Sequence, residues 1–240
     1  RRLAPVLLGA QGRWFNAASE YCGLFLERRL DAPAIGSLRA AMVENFNTLE
    51  PMIGQLPHEG AHPQMVRHAA ELRGRMIHLL PVTDALNDAL IALEQRSPAG
   101  VALLQPVLAQ TRTWLNHSGE QASHAAWQNL RSAIDQLQPV PAELEQREAL
   151  LLSNALYRLG ELVDLWQDCR ALQHAIGSDE PGQWRAVYRH WRLGRLTPFL
   201  DHGMMLYSVA STVLAIIVAC VLWIGLGWQD GASGVILAAG

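Results

Sequence analysis

MMLYSVASTVLAIIVACVLWIGLGW, residues 204–228, is a run of 25 residues without a charge. At about 1.5 Å per helical residue it reaches roughly 37 Å, enough to cross a hydrocarbon core of about 30 Å with some tilt. Its polar members are Tyr207, Ser208, Ser211, Thr212 and Cys220. Hydroxyls of this kind bond back to the preceding helical turn, so a membrane helix tolerates them. Trp223 and Trp228 sit near one end, where indole rings favour the interface. The alternative, a buried core helix, fits a run this long and uncharged poorly. The stretch therefore predicts a transmembrane helix.

Its flanks predict the orientation. Arg185, Arg189, Arg192 and Arg195 lie upstream against the single acid Asp201, whereas Gln229-Asp230-Gly231 lies downstream. Basic residues in short flanks stay on the cytoplasmic side, which puts residues 1–200 in the cytoplasm. A second apolar stretch, Ala232–Gly240, is too short to span. With no initiating Met, the chain reads as an internal segment of a longer multi-pass protein.

Half of the residues are hydrophobic and 17% are charged, and the membrane run accounts for much of that imbalance. A net charge of −3 argues against a nucleic-acid partner, which needs a concentrated basic surface. All basic residues are Arg, a property from which no function follows. Cys22, Cys169 and Cys220 are odd in number and unpatterned, as expected of free thiols in a reducing compartment.

The remaining sequence reads as helix almost throughout, with no period-2 segment of any length. Apolar residues recur at spacings of three and four from Trp14 to Leu30 and from Pro33 to Gln55. Leu56–Pro63 is a loop. A long helix over Pro63–Gln95 carries the stripe Leu72, Met76, Leu79, Leu80, Leu86, Leu90 and Leu93, a favourable Glu71–Arg75 pair, and Pro81, which should kink or split it. Ser97-Pro98 opens a helix to Asn116 as N-cap and first-turn proline. Further helices are expected over Glu120–Leu137 and Pro141–Ile176, followed by the linker Gly177–Gly182. The fold class is all-α: a cytoplasmic helical bundle over 1–182, a basic aromatic juxtamembrane helix over 183–200, then the span, a turn and the start of the next span over 201–240.

Few residues suggest chemistry. His58-Glu59-Gly60-Ala61-His62 matches the H-E-x-x-H zinc-protease pattern, but that mechanism needs a helix and Pro57, Gly60 and Pro63 impose a loop. The motif therefore reads as a solvated turn, and His117 and His124 as surface histidines. No catalytic residue, metal ligand set or cofactor is expected, and the sequence carries no Gly-rich phosphate loop. Trp184, Tyr188 and Trp191 alternate with Arg185, Arg189, Arg192 and Arg195, either to lie on anionic headgroups or merely to fix topology. Asp201-His202 at the mouth of the span is either a titratable pair for proton or anion traffic or a simple helix cap. Asp230 stands at the far end, among Gly225, Gly227, Gly231 and Gly234, where a tight hairpin between spans is expected.

These end residues carry a resemblance. Asp201-His202-Gly203 before an alanine-rich span, then Trp223, then Gly227-Trp228-x-Asp230-Gly231-Ala232, resembles the opening of the second membrane half in the fusaric acid resistance family, which includes p-hydroxybenzoic acid efflux pumps. The stretch Leu72–Leu86 is similar, more loosely, to that family's inter-membrane helical region. The resemblance implies a multi-pass bacterial inner-membrane exporter of small aromatic carboxylic acids, often working with a periplasmic adaptor protein, and a homo-oligomer is among the expected partners. It implies no substrate-contact list. Asp201, His202, Trp223, Trp228 and Asp230 are the transport candidates on position alone. A membrane-anchored helical scaffold and an anion channel are the competing readings.

Overall fold

The computed structural model describes residues 3–29, 32–116, 124–138, 145–177, 184–189 and 202–226. Seven helices are found among them: α1 (Leu3–Leu26), α2 (Ala34–Gln55), α3 (Pro63–Arg96), α4 (Pro98–Asn116), α5 (His124–Gln136), α6 (Gln146–Gly177) and α7 (His202–Leu226). No strand occurs among the described residues, so the chain is all-α. It divides into two compact units, 1–194 and 195–240.

The first unit is a helical bundle. Its longest shared face lies between α3 and α6, α1 packs along α2, and α4 touches α1, α3, α5 and α6. The α3 stripe is buried as its spacing predicts: Leu72, Met76, Leu79, Leu86, Leu90 and Leu93 face the core, with Leu80 partly covered. Opposite them, α6 buries Leu152, Leu156, Leu159, Val163 and Leu172. Trp14, Phe15 and Trp166 form an aromatic junction between α1 and α6, with Trp14 stacked on Trp166 at 6.5 Å and Phe15 edge-on to it at 5.5 Å.

The helix ends depart from expectation in instructive ways. α1 stops at Leu26 rather than Leu30. Arg28 takes a left-handed conformation, φ 59°, while its amide donates to the Phe25 carbonyl and the Arg29 amide to that of Leu24. This pair of bonds closes a helix most often with glycine at the left-handed position. Here Arg28 is held there by its side chain, which pairs with Glu94 and donates to Asn87 on α3. Pro81 does not split α3, which runs unbroken for 34 residues. Extensive burial on both sides of Pro81 outweighs the lost hydrogen bond, and Thr83 donates to the Leu79 carbonyl within the same turn. Ser97 caps α4 as expected, its Oγ accepting from the Gly100 amide at 3.1 Å. A Cβ at Gly100 would lie 2.8 Å from that Oγ and 2.9 Å from Leu93, so the cap leaves room for glycine alone.

One expectation is corrected outright. Residues 184–189 are not helical. They form a short strap against the bundle, with Tyr188 6% exposed and Trp184 half-buried. Trp184 and Tyr188 thus pack against the bundle core and do not lie on a helix. The rest of the expected helix, 190–200, lies outside the described residues.

α3 meets the length and composition of a membrane-crossing helix. Its twelve buried residues, Arg75 among them, identify it as the core helix of the bundle instead. α7, in the second unit, is the opposite case. None of its described side chains is buried: Ile216, Ala219 and Cys220 are partly covered, and Leu206, Val209, Leu214, Val221 and Ile224 are exposed apolar groups on one face. A long helix of uncharged residues with exposed apolar side chains suits hydrocarbon.

Candidate functional site

The sequence candidates are not brought together by the described structure. His202 and Trp223 lie on α7, with side chains outside the described set. Asp201, Trp228, Asp230, Arg192 and Arg195 are outside the described residues altogether. Arg185 and Arg189 are described, and both are exposed on the strap. The His58–His62 motif is a turn, with Gly60 at φ 72° and His62 acting as N-cap of α3 through an Nδ1 that accepts from the Gln64 amide. Its histidines therefore do not share a helical face, and no group able to hold a metal ion occurs among the described residues. His124 is exposed and rests on Trp127; His117 lies outside the described residues.

The structure assembles a different constellation at the α3–α6 face. Arg75 and Asp168 are 2% and 1% exposed, and Arg75 Nε donates to Asp168 Oδ2 at 3.1 Å. Arg75 Nη1 also donates to Glu71 at 2.6 Å, the one link of this group that helical spacing announced. The guanidinium lies 4.4 Å from the Trp184 ring centre, a cation–π contact. The Asp168 carboxylate accepts two further bonds, from the Val187 amide at 2.9 Å and the Tyr188 amide at 3.1 Å. Burial raises the Asp168 pKa, against the opposing pull of the Val187 amide, Arg75 and the Tyr188 amide.

A second carboxylate stands one turn earlier on α6. Asp164 accepts from Trp127 Nε1 at 3.0 Å and pairs with Arg131 at 3.5 Å. Burial again lifts its pKa, with Arg131 and Trp127 working against the rise. Below Asp168 on the same helix, Arg170 lies 5.5 Å from the Trp114 ring centre and 5.6 Å from that of Trp166, and it donates to the Leu115 carbonyl at 2.7 Å. Its pKa is lowered to about 10 by burial. The buried thiols are inert by the same physics: burial pushes Cys22 up to about 12 and Cys169 upward as well. This constellation is one of anchoring and charge compensation. Asp168 was hidden in sequence because its partner is 93 residues away. Locally it is one charged residue among several on α6, with Glu161, Asp164 and Arg170 close by in sequence.

Comparison with curated proteins and with solved structures returned no match. The sequence pattern of the fusaric acid resistance protein family, by contrast, matches residues 1–239, which is essentially the whole chain. The chain therefore belongs to the fusaric acid resistance protein family, whose members are integral membrane transporters.

Proposed function

We propose that this chain is part of an inner-membrane exporter of small aromatic carboxylic acids, driven by the proton gradient. The observation that carries the reading is the family match over residues 1–239. In this reading α7 crosses the membrane with its N-terminal end in the cytoplasm, and the bundle is cytoplasmic. The four arginines from Arg185 to Arg195 support that orientation, since cytoplasmic flanks are the basic ones. They also raise the local concentration of an anionic substrate near the entrance. Asp201 and His202 stand at that entrance, Asp230 at the exit, and Trp223 and Trp228 offer aromatic faces near the outer end. A periplasmic adaptor protein and further copies of the chain are its expected partners. The test is growth of a deletion strain on a panel of aromatic acids, with intracellular accumulation measured. Accumulation equal to that of the parent strain for every acid would overturn the reading.

A further inference from the structure

We propose that the Arg75–Asp168 pair is a latch: its buried charge holds the strap 184–189 on the bundle and out of a helical conformation. The strap grips both members of the pair. Trp184 covers the guanidinium of Arg75, while consecutive amides, Val187 and Tyr188, donate to the two oxygens of Asp168. In a helix each of these amides would donate to the carbonyl four residues back. Aimed together at one carboxylate, they hold the backbone out of the helix that the four-residue spacing of Trp184 and Tyr188 would favour. Hydrogen bonds to an ionised acceptor are about twice as strong as neutral ones, so the charge matters and not only the shape. An amide group at position 168 keeps the volume but turns one acceptor into a donor, which then faces either a strap amide or Arg75. When Asp168 is neutralised, Arg75 retains Glu71 as a counter-charge.

The test uses the strap's exposed arginines. Full-length protein in detergent is treated with trypsin, and cleavage after Arg185 and Arg189 is timed by mass spectrometry, with Arg158 on α6 as the control for global opening. In Asp168→Asn, strap cleavage should accelerate at least tenfold with Arg158 cleavage unchanged. The double variant Arg75→Met with Asp168→Leu, which replaces the pair by apolar groups, should behave alike and carries the test if the single variant misfolds. Unchanged strap cleavage, or Arg158 cleavage rising in step with it, overturns the latch.

Discussion

At the scale of single residues, the chain places its informative acids in two settings. Asp230 belongs to the proposed pathway. If it accepts the counter-moving proton, Asp230→Asn should slow export several-fold with insertion unchanged; if it only shapes the turn after the span, asparagine, equally turn-friendly, leaves export intact across external pH 5.5–8, about the range in which proton coupling shows. Asp164 and Asp168 belong to the bundle, and both have raised pKa values because burial outweighs their partners. The folded protein therefore binds protons at these sites more readily than the unfolded chain does. Their unfavourable contribution is fully present above the raised values. It is relieved as pH falls toward the unfolded carboxylate value of about 3.9. Asp164→Asn keeps the acceptor for Trp127 and removes the titration. Denaturant unfolding from pH 7 to pH 4.5 should show wild-type stability rising relative to this variant as the pH drops. A relative fall would mean that Arg131 outweighs burial.

At the scale of elements, α3 and α6 carry the bundle. Leu79 is fully buried at the centre of the α3 stripe, so Leu79→Ala should cost about 2–5 kcal/mol, read from the denaturation midpoint. That stripe was legible in the sequence because helical periodicity is local, and so was the Ser97 cap. The end of α1 was not. Arg28 occupies a left-handed position that glycine usually signals, and the groups that hold it there, Glu94 and Asn87, come from another helix. The strap misled for a related reason. Trp184 and Tyr188 stand four apart, which reads as one helical face, yet a carboxylate on α6 captures the amides that a helix would need. Local rules report what a segment prefers, and here a distant side chain overrules the preference. The transport candidates were reached from flanking charge and family resemblance, and most of them lie outside the described residues.

At the scale of the molecule, two units share one chain: a bundle that hides its apolar groups and a helix whose described side chains are mostly exposed. The proposed topology is tested by adding one cysteine at position 195 or at 230, with Cys220 replaced by Ser and the buried Cys22 and Cys169 left in place, and a membrane-impermeant reagent on intact cells. Position 230 should label and position 195 should be protected; the reverse pattern would turn the protein over. The distance along the chain between Arg75 and Asp168 also has a meaning in time. At about 5–20 residues per second, the ribosome needs roughly 5–20 s to supply those 93 residues. Throughout that interval Arg75 has been made and its buried counter-charge has not. Glu71, translated four residues before it and bonded to it at 2.6 Å in the finished fold, is on hand from the start. The nascent helix can thus carry its own neutralising chaperone until α6 arrives.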